Sequence, residues 1–449
     1  MKHMQHNSTG ISRVVIEEIS AAKNEPGWMR RKRLEAFDIF EKTPLPAVGP
    51  VNQLKDLDFK KIHYYIKPQG HLARTWDDVP EEIRKKYDAL GIPEGEREYL
   101  AGLGAQYESE MIYHSLRQEL IDKGIVFEDM SVAVTKYPDL IQEYFGSVIA
   151  VDNNKFAALN GAVWSGGSLV HIPPGVYLEA PLHNFFQMST PSQGQFERTL
   201  IIAEEGSSFE FIEGCVAPLY SETSMHAGVV EIVIKKGAHV KYSTMQNWSK
   251  NVLNLVTKGS YVEEEGVVEW VDGNVGSGVT MKYPSMVLAG RKAKGQLVSL
   301  AYAGDGQVID SGGKAIHLAS ETVSRIESRS IVKKGGRSSF RGSVTVDKNA
   351  DNCRSSVECV SLHLDDGARS ETYPRFTLEN ASAQTSHESS ILRITEEQLL
   401  YCMSRGLSAQ EARGAIVGGF VEPFSMELPM EYAVEFDRLV EMEMADGVG

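Results

Sequence analysis

Turn motifs that recur at a nearly constant interval of about 30 residues, within the range typical of repeat proteins, restrict the fold of this chain more than any other sequence feature. Four of them, EEGSS, KKGAH, EEEGVV and KAKGQ, place Gly206, Gly237, Gly266 and Gly295 at nearly equal intervals. Two later pairs, Gly335 with Gly367 and Asn349 with Asn380, keep almost the same spacing. Glycine and asparagine tolerate the positive φ angle of a tight corner. We therefore expect a corner of the chain at each motif.

From about residue 132, the segments between these corners show the alternating pattern of short strands and are rich in Val, Ile, Ser, Thr and Gly. A fixed period without helical patterning predicts a β-solenoid, in which each coil stacks on the previous one. A many-stranded β-sandwich also has short strands and turns, but it has no reason to keep this period. The sequence therefore favours a mainly β chain with a parallel β-helix as its core.

Helical patterns precede the repeats. The segment ISRVVIEEISAAKNEPGWMRRKRLEAFDIF predicts helices interrupted at Pro26 and Gly27, and VPEEIRKKYDALGIP predicts another that begins near Pro80 and ends before Gly91. The basic run RRKR at residues 30–33 lies inside the first of these segments, and we interpret it as a solvated helix face.

Helical patterns also follow the repeats. The segments TEEQ and SAQE both fit the capping box, with Thr395 and Ser408 as N-cap residues, and a third helix is expected over residues 430–443. Cys402 lies in the apolar pattern of the first of these helices, so we assign it to packing. The expected organisation is a mainly helical N-terminal region at residues 1–128, a parallel β-helix at 129–390 and a C-terminal helical region at 391–449.

Charge and missing motifs argue against several classes of function. The formal net charge of −15 repels phosphate backbones, so we expect no nucleic-acid partner. The chain has no GxxxxGKS/T phosphate loop, no GxSxG and no HExxH. It has neither a signal-peptide pattern nor a run of about 18 apolar residues, so we expect a cytoplasmic protein without membrane contact. Its four cysteines include no CxxC pair and form no disulfide framework.

Cys359 is a candidate metal ligand because of the coil period. His387 and Glu388 follow it at close to one period, so the three side chains are expected on neighbouring coils about 4.8 Å apart. Thiolate, imidazole and carboxylate groups can all bind iron. However, His387 and Glu388 are adjacent, so in a regular strand they face opposite sides, and both act at one site only near a bulge, an edge or a subunit interface.

Cys215 is a second candidate. Gln246 follows it at one period, and Trp248 lies two positions later on the same expected strand face. A thiol flanked by an amide and an indole inside a narrow core can act as a protected acceptor for a reactive sulfur atom. Free cysteine is also among the most commonly buried residues, so simple core packing stays an alternative for Cys215 and Cys359. We interpret Cys353, beside an expected corner, as structural.

A carbohydrate-active enzyme is an alternative, because parallel β-helices also host polysaccharide lyases and hydrolases. The acidic pair Asp365 and Asp366 lies at an expected turn. Such enzymes usually act outside the cell, and an acidic pair at a turn is more often solvated than catalytic.

Long segments of the chain resemble the SufB/SufD family of the SUF iron-sulfur cluster assembly machinery, and in particular its SufB members. The segments include NKFAALNGAVWSGGSLVHIPPGV, EGCVAPLYSETSMHAGVVEI, QNWSKNVLNLVTK, EWVDGNVGSGVTMKYPS and QLLYCMSRGLSAQEARGAIVGGFVEPFSMELPMEYAVE, and the resemblance covers nearly the whole chain. It implies a right-handed parallel β-helix with helical regions at both ends. It also implies a non-enzymatic scaffold whose C-terminal region docks a SufC-like ABC ATPase, which carries out the ATP hydrolysis.

The resemblance also implies roles for individual residues. Cys215, in EGC, matches the acceptor of sulfur from a cysteine desulfurase system, and Gln246 and Trp248 match residues of the sulfur path. Cys359, in VEC, and Glu388, in SHES, match residues that build the nascent cluster, with His387 as a helper. The expected product is a nascent iron-sulfur cluster of the 4Fe-4S type, and a flavin requirement stays open.

The chain departs from its relatives at two positions, and its partner is not fixed by the sequence. Gln187 stands where some relatives have arginine, and Ala368 replaces a second cysteine found in some bacterial members. Cys359 is thus the main candidate ligand of its region, and the remaining ligands are expected from a second SufB copy, a SufD-like chain or an external thiol. A SufD-like stabilising subunit without its own cluster is the alternative function.

Overall fold

The computed structural model describes residues 5–6, 9–67, 100–188, 192–217 and 223–445, and the helix expected near Pro80 lies outside these ranges. The helices are α1 (Arg13–Ala22), α2 (Gly27–Lys42), α3 (Val51–Leu54), α4 (Gln118–Asp122), α5 (Met130–Lys136), α6 (Pro138–Tyr144), α7 (Lys155–Val163), α8 (Glu396–Ser404), α9 (Ala409–Ser425) and α10 (Met430–Ala445).

The strands run through the middle of the chain and extend into its N-terminal part. They are β1 (Gln5–His6), β2 (Ile66–Lys67), β3 (Gly102–Tyr107), β4 (Glu110–Leu116), β5 (Val126–Asp129), β6 (Ser168–Ile172), β7 (Leu182–Gln187), β8 (Gly194–Gln195), β9 (Arg198–Ala203), β10 (Ser208–Val216), β11 (Ser224–His226), β12 (Val229–Ile234), β13 (His239–Trp248), β14 (Val252–Asn254), β15 (Thr257–Val262), β16 (Val267–Gly276), β17 (Val279–Lys282), β18 (Ser285–Leu288), β19 (Lys294–Ala303), β20 (Val308–His317), β21 (Val323–Val332), β22 (Arg337–Val346), β23 (Arg354–His363), β24 (Arg369–Thr372), β25 (Arg375–Leu378) and β26 (Gln384–Arg393).

These strands build a parallel β-solenoid of about seven turns, as the turn period predicted. One side is a long sheet in which β7, β10, β13, β16, β19, β21, β23 and β26 pair in parallel, each with the next. The facing strands run from β6 through β9, β12, β15, β18, β20 and β22 to β25, and a shorter series, β8, β11, β14 and β17, joins them at β20. The coils differ slightly in length, since Ser208 pairs with His239 in one of the longer coils and Val267 pairs with Lys294 in a shorter one.

One corner of the solenoid repeats a left-handed backbone conformation on several successive coils. The positions with positive φ at this corner are Gly206, Gly237, Glu265, Lys292, Glu321 and Asn352. The N–H group of Lys292 donates to Ser320 on the next coil, and Glu321 donates to Asp351 in the same way. This inter-coil hydrogen bond keeps the conformation where glycine is absent. The expected corner at Gly295 is therefore wrong, because Gly295 lies in β19 and Lys292 forms the corner.

The solenoid interior contains an apolar column of directly paired side chains from successive coils. Its members are Phe211, Tyr242, Trp270, Leu297, Ile326 and Val357, which are all buried. The rings of Phe211 and Tyr242 are 5.5 Å apart, and those of Tyr242 and Trp270 are 5.1 Å apart. Stacking of this kind removes large apolar surfaces from water, which is the main favourable term in folding.

Helices cover both flanks of the solenoid. The apolar faces of α9 and α10 pack on the outer side of the long sheet, with Phe424 and Phe436 lying over Gly273, where a Cβ atom would come within 2.7 Å of the Phe436 ring. Both capping boxes form as predicted, at Thr395 for α8 and at Ser408 for α9. The third C-terminal helix also forms, as α10.

The N-terminal region differs from the prediction in one residue and in its boundary. Arg33, expected on a solvated face, is fully buried, because α2 packs against α7 and the Arg33 guanidinium pairs with Glu25 and lies 4.4 Å from the Trp164 ring. The boundary expected at residue 128 is interleaved. β3 and β4 already belong to the long sheet, whereas α5, α6 and α7 follow after it in sequence.

Candidate functional site

Cys215 lies inside the solenoid on β10 and pairs directly with Gln246 on β13, as the coil period suggested. Trp248 follows on the same inward face, and both Gln246 and Trp248 are buried. Phe186, Trp248 and other apolar side chains pack around the thiol. The Cys215 Sγ atom lies 3.8 Å from Oε1 of Glu213. The thiol thus has an apolar wall on one side and a carboxylate on the other.

A buried ion-pair network adjoins this thiol across the interior. Asp272, on β16, pairs with two lysines from the facing strands, Lys282 at 2.8 Å and Lys258 at 3.3 Å. Lys282 also donates to Oε1 of Gln246 at 3.0 Å. Lysine is almost never fully buried unless it is paired, and here both ammonium groups are satisfied by the same carboxylate.

His226 extends the network towards Trp248. Its Nε2 atom contacts the Glu197 carboxylate, and its Nδ1 atom lies 2.8 Å from Oδ1 of Asn254. The Asn254 amide then donates to Gln246 Oε1 at 2.8 Å, and the His226 ring is 4.7 Å from the Trp248 ring. A continuous chain of buried polar groups therefore links Glu197 to the neighbours of Cys215.

Burial is the main influence on the acid–base properties of this site. Burial raises the pKa of the Cys215 thiol well above its usual value, and the charges of Glu213 and Glu197 raise it further, against the opposing effect of the lysines. Burial lowers the pKa of Lys282 to about 8, although Asp272 opposes this. Burial also raises the pKa of Glu213. The thiol is therefore neutral at physiological pH and sits among buried acidic and basic groups.

The imidazole and carboxyl groups respond to their ion pairs. Burial disfavours the charged form of His226, but the charge and hydrogen bond of Glu197 outweigh this and raise the pKa of His226. Burial disfavours the charged form of Asp272 as well, but Lys258 and Lys282 outweigh it and lower the pKa of Asp272 to about 2.

The sequence reasoning did not find these charged residues. They are Glu197, Glu213, His226, Lys258, Asp272 and Lys282. The coil period could have indicated two of them. Glu213 and Asp272 stand at inward positions of their strands, and both pair directly with Thr244 on the strand between them. The lysines and His226 lie on other sides of the solenoid, and the period gives no information on contacts across the interior.

Cys359 lies at the far end of the solenoid, on the second-last strand of the long sheet. Its thiol is buried, and its Sγ atom lies 3.8 Å from the Thr372 hydroxyl, which in turn contacts Ser389 at 3.1 Å. Burial raises the pKa of Cys359 to about 11, so the free thiol is protonated at neutral pH. A metal ion bound there has to displace this proton.

The structure places His387 and Glu388 on opposite faces of the edge strand β26. The residue paired directly with Cys359 is Ser389, whereas His387 pairs with Val357 and Glu388 with Glu358. His387 is thus on the same face as Cys359, at a diagonal position, and its ring lies 6.1 Å from that of Phe376. Within the ranges that the structure describes, no three His, Cys, Asp or Glu side chains are grouped as a metal site.

Two neighbouring inward columns of mostly polar residues lie between these two thiols, and each column contains one of them. One contains Glu213, Thr244, Asp272, Ser299, Ser328 and Cys359, each paired directly with the next. The other contains Cys215, Gln246, Asn274, Ala301, Ser330 and Ser361. All of these residues are buried. A polar lining therefore runs beside the apolar column from the environment of Cys215 to that of Cys359.

The other two cysteines lie outside these columns. Cys353 is buried at a corner, 3.1 Å from the Thr322 hydroxyl and 3.3 Å from the Ala350 carbonyl oxygen, which agrees with a structural role. Cys402 is half-buried on α8, a helix without fully buried residues, so it packs only in part. The apolar pattern of α8 instead exposes Leu400 and Tyr401, which are 63% and 66% accessible.

The remaining candidate positions make ordinary contacts. Asp365 accepts a hydrogen bond from the Lys334 N–H group at 3.1 Å, and the Asp366 side chain is 99% accessible, so the acidic pair is a solvated turn. Gln187 is buried on β7 and pairs with Val216, next to Cys215. Ala368 packs against a small apolar cluster near the end of the solenoid. Among the described residues, no helix is both long and apolar enough to span a bilayer.

Comparison with known proteins gives consistent matches along the chain. The family model described as SUF system FeS cluster assembly, SufBD core domain, matches residues 185–420, and the model described as SufBD protein N-terminal region matches residues 105–183. A Staphylococcus epidermidis protein described as an iron-sulfur cluster assembly SufBD family protein is 51% identical over 440 residues, covering 98% of this chain and 94% of the relative. Similarly described proteins of Staphylococcus haemolyticus and Staphylococcus aureus are 50% identical over 440 residues, with the same coverage.

Proposed function

Because the chain belongs to the SufBD family of iron-sulfur cluster assembly proteins, we propose that it is a SufB-type scaffold that receives sulfur at Cys215 and assembles a nascent cluster at Cys359. The observation that carries this proposal is the pair of buried polar columns that begin beside Cys215 and reach Cys359. A solenoid stabilised only by packing has no need of charged residues in its interior, since buried charges are costly unless they are paired.

The first step is transfer of a sulfane sulfur to Cys215. The Cys215 sulfur attacks the terminal sulfur of a donor persulfide supplied by a cysteine desulfurase system. The donor sulfur–sulfur bond breaks, the donor cysteine leaves as a thiolate, and a new persulfide forms on Cys215. The thiol proton is lost in this step, and the raised pKa of Cys215 means that the exchange depends on the charges around it. Lys258 and Lys282 favour the anionic sulfur, whereas Glu213 disfavours it.

The second step is assembly of the cluster at the last coils. An external thiol reductant supplies two electrons per sulfur, which releases the outer sulfur of the Cys215 persulfide as sulfide and restores the Cys215 thiol. Cys359 supplies a thiolate once iron displaces its proton, and His387 on the same strand face can supply an imidazole. Glu388 faces the other side of β26, so its carboxylate joins the site only where a partner chain covers both faces of this edge strand. The remaining ligands therefore come from a second copy of this chain, a SufD-like chain or an external thiol.

The C-terminal helices are the proposed docking surface for a SufC-like ABC ATPase. The sequence has no phosphate loop of its own, so ATP hydrolysis is assigned to this partner, and the chain itself is a scaffold rather than an enzyme. The exposed apolar residues of α8, Leu400, Tyr401 and Met403, supply the kind of anchor that protein interfaces use.

A SufD-like stabilising subunit is the second candidate, and one observation favours it. The direct partner of Cys359 is Ser389 rather than a metal ligand, and the described residues hold no group of three ligands. A chain that binds the ATPase without assembling its own cluster would tolerate this arrangement.

Sulfur loading distinguishes the two candidates. The full chain is incubated anaerobically with a cysteine desulfurase system and cysteine, and sulfane sulfur on each cysteine-containing peptide is quantified by mass spectrometry. The scaffold predicts loading of Cys215 in the wild type and in Cys353→Ser, and loss of transferable sulfur in Cys215→Ser. Equal loading of all three proteins would support the SufD-like alternative.

A further inference from the structure

A cleft of about 400 Å³ lies between the N-terminal region and the outer face of the solenoid, and its residue Tyr373 directly follows Thr372, whose hydroxyl contacts Cys359. The N-terminal segment between α2 and α3 and the loop before α7 form one wall, and strands β17, β20, β22 and β25 contribute to the other. The residues that matter here are Val48, Tyr283, Lys314, Arg341, Ser343 and Tyr373, together with Arg375. Clefts of this size at the junction of two regions are typical of small-molecule sites.

The cations of the cleft are arranged by the coil register. Lys314 on β20 pairs directly with Ser343 on β22, and Ser343 pairs directly with Arg375 on β25. The two cationic residues therefore flank a hydroxyl in one column, with a backbone separation of about 10 Å for two coil steps. Their long side chains can converge on a single anionic group placed over Ser343.

These two cations are not neutralised by the protein. Arg341, also in the cleft, is satisfied by a two-point contact with Asp310 at 2.7 and 2.9 Å. By contrast, no acidic side chain of the described ranges forms an ion pair with Lys314 or Arg375. In a chain with a net charge of −15, two unpaired cations in one cleft create a local site of the opposite sign.

The rest of the lining suits a flat ring. The Tyr283 ring lies 5.8 Å from the Lys314 ammonium group, and the Tyr373 ring lies 4.2 Å from the Arg341 guanidinium group. Tyr373 remains 44% accessible and Val48 remains 59% accessible, so apolar and aromatic surface is available inside the cleft. Aromatic side chains stack readily on planar ligands.

We propose that this cleft binds a small phosphate ester that carries a planar ring, with a mononucleotide as the representative ligand. The phosphate contacts Lys314, Ser343 and Arg375, and the ring packs on Tyr283 and Tyr373. Phosphate provides several acceptor oxygens for a lysine, an arginine and a hydroxyl at once. This site is independent of the assignments of Cys215 and Cys359.

Titration calorimetry on the full chain tests this proposal, with AMP and UMP as probes and with adenosine and inorganic phosphate as the separate halves. Saturable binding of at least one nucleotide is expected, with each half at least about tenfold weaker. Lys314→Met is expected to weaken nucleotide binding by about tenfold, which corresponds to loss of one charged hydrogen bond. The matched control is Lys348→Met, which removes an exposed lysine at a solenoid corner and leaves binding unchanged.

Arg375→Gln is the second variant and is expected to show a loss similar to that of Lys314→Met. The proposal is overturned if neither nucleotide binds saturably, or if Lys314→Met and Lys348→Met bind equally well. Inorganic phosphate binding as tightly as AMP would also overturn it, because the ring would then contribute nothing.

Discussion

Glu213 and Cys359 occupy the same inward column of the solenoid, five coils apart, so that the carboxylate nearest to the Cys215 thiol stands at one end of the column and Cys359 at the other. Five steps between neighbouring strands correspond to about 24 Å. Thr244, Asp272, Ser299 and Ser328 fill the positions between them. This alignment places buried, mostly polar side chains along the interior between the two candidate thiols.

Ser328 is the member of this column that pairs directly with Cys359, so a substitution there tests the column next to the proposed cluster site. We expect Ser328→Val to reduce sulfur arriving at Cys359 by about tenfold, because it removes one hydrogen-bonding group from the column. Threonine has nearly the same shape as valine but keeps a hydroxyl group. Ser328→Thr should therefore retain most of the sulfur transfer. The measurement is acid-labile sulfide bound with iron after loading through Cys215, with Cys359→Ala as the blank. Equal transfer in the two variants would remove the column from the mechanism.

The coil period in the sequence located part of this site and missed the rest for a geometric reason. It placed Cys215 opposite Gln246, because β10 and β13 pair in the register that the interval assumed. It missed the partner of Cys359, since β23 and β26 pair in a register that brings Ser389, rather than His387 or Glu388, opposite the thiol. A register error of a single residue changes the strand face, so a period known only approximately cannot assign ligands.

In the flanking helices, too, the sequence predicted some features correctly and others wrongly. Capping boxes are local signals within four residues, so they fixed the starts of α8 and α9 correctly. Whether an apolar helix face is buried depends on distant parts of the chain. Arg33 was therefore expected in solvent but is buried under α7, and Cys402 was assigned to packing but is only half-buried on α8.

The charges around Cys215 should control the reactivity of its thiol. Burial is the main cause of the raised pKa of Cys215, and Glu213 adds to it, so Glu213→Gln is expected to lower this pKa. At about pH 8, a fall of one unit makes alkylation about tenfold faster, because only the thiolate reacts. Lys258→Met should change the rate in the opposite direction. Iodoacetamide labelling of the Cys215 peptide measures both effects.

Glu210→Gln is the matched control for this experiment. Glu210 lies on the same strand, accepts a hydrogen bond from Ser243 and does not influence the Cys215 pKa. Its alkylation rate should equal that of the wild type. If Glu213→Gln also matched the wild type, the electrostatic description of the thiol site would be wrong.

The attachment of α10 should weaken in acid because of His183. This residue is fully buried on β7, its Nδ1 atom lies 3.0 Å from the Tyr432 hydroxyl, and burial lowers its pKa to about 3. Between an unfolded pKa of about 6.5 and this value, the folded state binds fewer protons than the unfolded state. Stability is therefore lost as the pH falls through this window, by about 1.4 kcal/mol per unit at most.

Hydrogen exchange of α10 at several pH values, corrected for intrinsic rates, measures this effect. Protection of α10 should fall between about pH 6.5 and 4 in the wild type. His183→Gln cannot acquire a charge, so the contribution of this site to the pH dependence should disappear. The same pH dependence in both proteins would assign it to another group.

The exposed apolar residues of α8 should be required for ATPase docking and dispensable for folding. Leu400→Asp and Tyr401→Asp are expected to weaken binding of a SufC-like ATPase at least tenfold, because central apolar anchors carry about 2 kcal/mol or more of interface energy. The free energy of unfolding should change by no more than about 0.5 kcal/mol, as for other surface substitutions. Copurification and surface plasmon resonance provide the readout.

Val14→Asp is the control for this docking surface, since Val14 is 62% accessible on α1. It introduces the same charge at a similar exposed apolar position and should bind the ATPase like the wild type. If it weakened binding as much as Leu400→Asp, the effect would be one of charge rather than of the α8 surface.

Anaerobic reconstitution with iron and sulfide, followed by absorbance and Mössbauer spectroscopy, tests most directly whether Cys359 anchors a nascent cluster. The wild type, Cys359→Ala and Cys353→Ala are compared, because Cys353 is a buried cysteine of the same region without a place in the polar columns. We predict a cluster in the wild type and in Cys353→Ala and its loss in Cys359→Ala. Equal cluster content in all three proteins would contradict assembly at Cys359.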